Sequence, residues 1–485
     1  MLIVRWPKLL EVLGYFSLAI AASMILPLLL ALSFRDDGLV PLLGAIVCSG
    51  SIGAILIAAF RGPSIEFNHR EAIVMVVLTW MVAITLGALP FYFSQFFSSF
   101  TDSFFESASG FTTTGATILS DIESVAGSLL FWRALTQWLG GMGIILLGIA
   151  ILPLIGTGGM ALYRAEFSGA SSEKLKPRIA ETASSLWGIY FALTFACFLL
   201  LMVAGMRPFE AICHAFATMA TGGFSTRNVS IESFHSPYSE AVIILFMCLA
   251  GINFALQYRL FVERRIRLFM GDRELHVYLA VIATATVAVL LSLTLVLGTP
   301  FATAFRVALF QVVSILTGTG FSSADFARWT PFAQLVLLAL MFFGGCTGST
   351  AGGLKIARID MLLQLIRREF KKMVERRGVF AIHMGREPVS ESTIQSLLNL
   401  VYLAFLINFG ACMLLTAFGV DVFTAISAVA SSMFNIGPGL GAVGPTESYA
   451  AFPALVKWTL TLCMIAGRLE FYAFLVVFSR GFWRK

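Results

Sequence analysis

Charge is what this chain has least of. Only 12% of its 485 residues are Asp, Glu, Lys or Arg, about half the share found in a soluble domain. At 58% hydrophobic content, with a mean hydropathy of +0.88, it cannot cover a soluble surface. That excludes a disordered chain and an ordinary cytosolic enzyme. Histidine is also scarce: His69, His214, His235, His276 and His383 are scattered and form no HExxH motif. The seven cysteines lie in or beside apolar runs, with no CxxC pair or Cys/His metal spacing, and read as small buried hydrophobes. No GxSxG motif or paired intramembrane aspartates occur, which argues against an intramembrane enzyme. No GK[ST] completes a phosphate loop and no loop has room for a nucleotide domain, so nucleotide control needs a separate chain.

What remains is an all-α polytopic membrane protein. The first apolar run, from about Leu9 to Phe34, is too long for a signal-peptide core and reads as a retained span. Ten stretches reach the length of a bilayer crossing: 9–33, 39–60, 71–93, 131–155, 184–206, 238–261, 277–298, 332–366, 395–418 and 454–479. Four shorter apolar stretches, near 100–112, 208–219, 301–316 and 421–434, read as re-entrant half-helices. With that topology, 25 of the 33 Lys and Arg fall on the side of the termini and seven on the other, with Arg468 inside a span. Both termini are therefore expected in the cytoplasm. The formal charge of +6 records this orientation, and no nucleic-acid partner is inferred from it.

After two N-terminal helices the chain repeats one unit: long helix, half-helix, Gly/Thr-rich turn, long helix. The turns hold Thr112, Thr113, Thr114 and Gly115; Ala220, Thr221, Gly222 and Gly223; Thr317, Gly318, Thr319 and Gly320; and Asn435, Ile436 and Gly437. The spacings from Gly115 to Gly223, Gly320 and Gly437 are 108, 97 and 117 residues. One such turn could be a simple helix cap; four in register point to a shared role. Glycine admits the left-handed conformations that turn successive carbonyls to one axis. Rings of carbonyls replace the hydration shell of a permeating cation, and a half-helix aims its negative end the same way. The outer face carries 12 acids against seven bases, an excess that concentrates cations.

Two features lie in the expected ion path. The span 332–366 is broken by Gly344, Gly345, Cys346, Thr347, Gly348, Ser349, Thr350, Ala351, Gly352 and Gly353, a composition poor for a helix interior. It reads as an intramembrane loop that lines the cavity and gates it, with Lys355 directly after. Arg468 sits mid-span, where a bare charge costs roughly 2.5–3.5 kcal/mol or more, so it must face protein or water. Glu470, two residues on, points away from it on a helix and is a poor partner. The cytoplasmic segment from Arg367 to Ser392 is the largest polar stretch, read both as positive-inside anchoring and as a docking surface.

On these residues the sequence resembles the Trk/Ktr/HKT superfamily of potassium transport proteins over essentially its whole length. The two extra N-terminal helices look like the TrkH/TrkG branch. The resemblance implies four pseudo-symmetric units about one pore, potassium as the ion, a homodimer, and a cytosolic ring of TrkA-type nucleotide-binding subunits. It also implies the bacterial inner membrane and a gate at the 344–353 loop. The units then divide as 1–65 for the two added helices and 66–160, 178–265, 272–378 and 390–485 for the four repeats. The fourth turn departs most from the pattern, and both Gly437 and Gly439 stay open as its glycine. A potassium/proton or potassium/sodium symporter on the same scaffold is the alternative, although no convincing carboxylate stands at the filter.

Overall fold

In a computed structural model the described residues are 4–62, 67–150, 179–384 and 387–484. The chain is a mostly helical membrane protein. Helices α1 (Trp6–Ser23) and α2 (Ile25–Phe34) form one span that steps at Met24, ahead of Pro27, whose nitrogen has no proton for the helix ladder. The span α3 (Leu39–Phe60) packs back against α1. Then follow α4 (His69–Tyr92), the short α5 (Phe100–Phe111), α6 (Gly127–Ala150), α7 (Ile179–Val203) and the short α8 (Pro208–Met219). Next come α9 (Pro237–Ala250), α10 (Phe254–Phe261), α11 (Ile266–Met270), α12 (Arg273–Leu297) and the short α13 (Phe301–Leu316). The last part holds α14 (Pro331–Leu340), α15 (Ile356–Val374), α16 (Glu391–Ala417), the short α17 (Val422–Met433), α18 (Ala454–Arg468), α19 (Tyr472–Leu475) and α20 (Arg480–Trp483). A two-stranded antiparallel ribbon, β1 (His383–Met384) with β2 (Glu387–Pro388), joins α15 to α16.

Side-chain caps fix where several helices begin. Asn68 and Glu71 close a capping box at α4, each accepting the other's backbone N–H at 2.9 Å. Asp272 accepts from Leu275 N–H at 2.8 Å at the start of α12, and Asp421 accepts from Thr424 N–H at 3.0 Å at the start of α17. The four short helices match the four short apolar stretches read from the sequence.

Three of the ten expected spans are not single straight helices. The 238–261 stretch turns by 105° between α9 and α10. Asn253 starts the new direction by accepting from Ala255 and Leu256 N–H, and Gln257 Nε2 caps the freed carbonyls of Leu249 and Ile252 at 2.7 and 3.0 Å. The 454–479 stretch turns by 113°, at Glu470 and Phe471, both left-handed with φ of 53° and 58°. The 332–366 stretch is α14, an irregular loop and the start of the charged α15. Among the described residues six helices are long and apolar enough to cross a membrane, or eight if each bent pair is one span. The end of the 131–155 stretch, the bases Arg164, Lys174, Lys176 and Arg178, and the boundary between the first two units lie outside the described residues.

The outer acids are not the open field that their count implied. Asp102 pairs with Lys457 at 2.6 Å, Glu210 with Arg227 at 2.5 Å and Glu240 with Arg306 at 3.2 Å, each with a buried carboxylate. Glu106 and Arg133 pair at 2.8 Å with side chains 0% and 1% exposed. Glu106 also accepts from Thr117 Oγ1 and Ile118 N–H, while Arg133 donates to Ser225 O and lies 4.1 Å above the Phe224 ring. This knot ties the segments after α5 and α8 together. With Arg328 on Asp325 at 2.9 Å, five of the seven bases counted on this face lie against carboxylates. Arg133→Ala strands the Glu106 charge and is expected to destabilise by about 3–5 kcal/mol. A lowered melting midpoint in detergent, smaller for Arg133→Ala/Glu106→Gln, checks this; equal melting of wild type and Arg133→Ala refutes it.

Candidate functional site

The four short helices end alike. The second residue past each helix is left-handed, and so is the fourth. The first left-handed positions are Thr113, Thr221, Gly318 and Asn435, with φ of 55°, 53°, 69° and 56°. The second are Gly115, Gly223, Gly320 and Gly437, with φ of 83°, 76°, 78° and 108°. The same two hydrogen bonds close each turn. The N–H of Thr114, Gly222, Thr319 and Ile436 reaches back five residues at 2.8, 2.8, 2.9 and 2.9 Å. The N–H of the preceding residue reaches back three. This is a Schellman cap, which favours glycine at its left-handed site. Only Gly318 obeys; a left-handed Thr or Asn costs roughly 1–2 kcal/mol. Such outliers persist where surrounding structure over-determines them.

The turns also close on one another in a cycle. A Cβ on Gly115 would collide with Gly222 O, on Gly223 with Thr319 O, and on Gly320 with Ile436 O, all well inside 3.0 Å. On Gly437 it would lie 2.7 Å from Thr114 O. Each glycine therefore sits on the middle carbonyl of the next turn, and the fourth returns to the first. Gly437, not Gly439, holds the matching position; Gly439 instead donates its N–H to Val443 O at 2.7 Å. All four glycines line one cavity of about 230 Å³, together with Arg227 and Glu447. In the loop beside it, Glu210 holds the Arg227 guanidinium above its ordinary pKa, chiefly by a hydrogen bond.

The residues from Gly344 to Lys355 cross the other side of the turns, at the ends of the short helices. Thr350 Oγ1 donates to Met219 O at 3.1 Å and to Ala250 O at 3.3 Å. A Cβ on Gly352 would strike Phe434 O, and Gly318 lies against Gly352 N. Gly344 N–H donates to Leu354 O at 2.8 Å, which folds the loop back on itself. Gly348 and Gly353 are left-handed, with φ of 73° and 72°. Ser349 Oγ donates to Cys346 O at 2.5 Å, and Lys355 Nζ to Ala351 O at 2.5 Å. Gly345 has no room for a side chain beside Gly251 O. Arg468 reaches the same loop: its Nη1 donates to Thr350 O at 2.9 Å and its Nη2 to Gly140 O at 3.4 Å. Its Nε finds no acceptor among the described residues. Glu470 pairs instead with Arg358 at 2.5 Å. The loop and Arg468, two separate features in the sequence, form one contact.

Three supporting residues carried little sequence signal. Glu274, in the first turn of α12, accepts from Thr347 N–H at 2.7 Å, Thr347 Oγ1 at 2.8 Å and Ala357 N–H at 3.1 Å. It thereby clamps both ends of the loop, yet reads in the sequence as ordinary helix-start acid. Gln137 donates to Gly222 O at 2.6 Å and accepts from Phe224 N–H at 3.1 Å. A polar residue within the apolar 131–155 run was its only mark. Tyr449 donates to Gly437 O at 2.9 Å. Among the described residues no cluster of His, Cys, Asp and Glu could hold a metal ion, and all seven cysteines are free.

Comparison with known proteins agrees with this geometry. The family model for TrkH, described as cation transport protein, matches residues 42–484. The chain belongs to the TrkH family. This is a transporter family, not an enzyme family. The chain is 40% identical over 480 residues to the Trk system potassium uptake protein TrkH of Salmonella typhimurium, covering 98% of this chain and 99% of that one. The Escherichia coli K12 protein TrkG is 31% identical over 488 residues, covering 97% of each. The crystal structure of the potassium transporter TrkH from Vibrio parahaemolyticus superposes with a TM-score of 0.92 at 35% identity, covering 99% of this chain and 100% of that one.

The close approaches in the ring are testable without assigning a role to it. Gly320→Ala is expected to lower the melting midpoint, because a methyl there meets a backbone carbonyl that has no room to retreat. Gly50→Ala and Gly410→Ala, where nothing lies within 4 Å, should melt like the parent. Equal midpoints for all three refute the packing.

Proposed function

We propose that this chain conducts potassium into the bacterial cell through one pore built from four pseudo-equivalent units, spanning 66–160, 178–265, 272–378 and 390–485. Residues 1–65 add two helices outside the ring. The observation that carries the reading is the cyclic closure of the four turns, each glycine on the next turn's carbonyl. That arrangement presents backbone oxygens from all four segments to one axis, where they replace a cation's hydration water. The filter is then made by Thr112–Gly115, Ala220–Gly223, Thr317–Gly320 and Asn435–Gly437. The short helices contribute their negative ends. Potassium as the ion is supported by the names of the relatives, which belong to Trk potassium uptake systems. Potassium is cargo here, not a resident cofactor.

The 344–353 loop with Lys355 and Arg468 is the gate. It crosses the path below the filter and is pinned by three devices: the Glu274 clamp, the Thr350 hydroxyl and the Arg468 guanidinium. Arg468 donates only to carbonyls, so its charge is not cancelled by a carboxylate bond. Lys355 adds a second positive charge, with its Nζ on Ala351 O. Both termini face the cytoplasm of a cell bounded by this inner membrane, and the subunit works as a homodimer. A TrkA-type nucleotide-binding partner docks on the basic segment 367–392, since nucleotide control has no site within this chain.

At ~5 Å and an effective dielectric of ~20, Arg468 opposes a cation by about 3 kcal/mol, on the order of 100-fold in permeation. Arg468→Ala should raise potassium flux into proteoliposomes accordingly; unchanged flux at equal expression sinks the gate assignment. Glu274→Ala should also raise flux by freeing the loop, while Glu274→Gln, which keeps an acceptor oxygen, should stay near the parent. Equal behaviour of the two variants counts against the clamp. Single-channel recording separates a gated pore from a symporter: discrete openings that follow the potassium gradient support the pore, and flux locked to a proton gradient overturns it.

A further inference from the structure

We propose that residues 261–270, between α10 and α12, form a binding surface for anionic phospholipid in the cytoplasmic leaflet, and that this lipid contact steadies the 344–355 loop. The inference rests on the proposed function for the side of the membrane and for the role of the loop.

The placement follows from the bend. Helix α9 starts at the outer end and has 14 residues, a rise of about 21 Å. That is roughly two-thirds of a hydrocarbon core of about 30 Å. The chain then turns by 105°, so α10 runs along the membrane rather than across it. The segment beyond α10 therefore emerges sideways, about 9 Å short of the inner edge of the hydrocarbon core, within the depth to which an interfacial helix buries its apolar face.

Its composition suits that boundary. Phe261, Val262, Ile266 and Met270 are 50%, 54%, 61% and 61% exposed, so large apolar side chains stand uncovered beside the arginines. Interleaved with them, Arg264, Arg265 and Arg267 are exposed. Glu263 is the one acid in the segment and pairs with Arg265 at 3.2 Å. Apolar side chains that reach acyl chains, beside guanidinium groups at phosphate level, are the features of an interfacial anchor. The excess of arginine selects an anionic headgroup over a zwitterionic one.

Both ends of this segment hold the gate loop. At the α10 end, Phe254 N–H donates to Gly348 O at 3.1 Å, and the Asn253 side chain fills the space beside Gly348. At the α12 end, Glu274 clamps Thr347 and Ala357. Arg273 adds a bidentate pair to Asp360 of α15, at 2.9 Å for each bond. A lipid that fixes the position of 261–270 thus fixes the two anchor points of the loop together. A soluble partner covering the same residues would have to reach past the headgroups to the four apolar side chains.

The test uses the full chain purified in mild detergent with an equal mixture of phosphatidylglycerol and phosphatidylcholine, followed by native mass spectrometry of retained lipid. Wild type is expected to retain phosphatidylglycerol preferentially. Arg264→Gln/Arg265→Gln/Arg267→Gln should lose that preference by about fivefold per arginine. The control Arg376→Gln/Arg377→Gln, which removes two arginines beyond α15, should not. Equal retention by wild type and the triple variant, or an equal loss in the control, overturns the site. Amide exchange gives a second reading: 261–270 should slow in phosphatidylglycerol nanodiscs relative to phosphatidylcholine ones. Slowing produced only by an added soluble partner overturns the lipid assignment. In flux assays phosphatidylglycerol should alter wild-type potassium transport and leave the triple variant unaffected; the same lipid response in both refutes the link to the loop. Absence of potassium flux in every lipid would refute the proposed function instead, and leaves the retention result standing.

Discussion

Four places where a Cβ has no room hold this structure together. Gly115, Gly223, Gly320 and Gly437 each lie on a backbone carbonyl of the neighbouring turn, so the four turns can approach only if all four residues lack a side chain. Close approach in turn sets where the short helices end and how the longer helices lean around them. The same constraint recurs one layer out. Gly140 lies on Phe111 O and Gly467 on Met433 O, so flanking helices also press glycine against the short-helix ends. Protein groups answer part of this backbone: the paired Schellman bonds take the turn N–H groups, and Gln137, Ser431 and Tyr449 serve the carbonyls of Gly222 and Gly437.

Charge is used sparingly and mostly in pairs. The Glu106–Arg133 knot, the Asp102–Lys457 pair and the Glu210–Arg227 pair brace one side of the ring, where unpaired burial would be costly. At the loop on the opposite side the pattern differs. Arg468 donates to the carbonyl oxygens of Thr350 and Gly140, whereas buried Arg133, Arg358 and Lys457 each meet a carboxylate. Its loop contact also explains why a Gly-rich segment can stand there without a helix. The freed backbone groups of that segment pair partly within the loop and partly with other elements, and Glu274 takes two N–H groups and the Thr347 hydroxyl.

How much was legible depended on whether the signal was local. The short helices, the turns and the broken span announced themselves through runs of apolar residues ended by Thr and Gly. Those are near-neighbour effects, and α8 and α13 fell where the apolar stretches placed them. The bends at Gly251–Asn253 and Glu470–Phe471 were not legible, because each stretch is apolar enough overall to read as one span and only the cap made by Asn253, or the left-handed pair 470–471, redirects it. The pairing of the acids was not legible for the same reason: the partners of Glu106 and Glu210 come from another helix or across a turn, and the net excess of acids is unchanged by it.

By itself the sequence determined the class of the protein, the four turns and the residues able to build them, since composition and periodicity act along the chain. Only the tertiary structure decided that the turns close in a cycle, that Gly437 rather than Gly439 completes it, and that Arg468 touches the loop at Thr350. Those are contacts between atoms more than a hundred residues apart in most cases. Nothing in the local spacing of either partner specifies such a contact; the shared exclusion of side chains at the ring does.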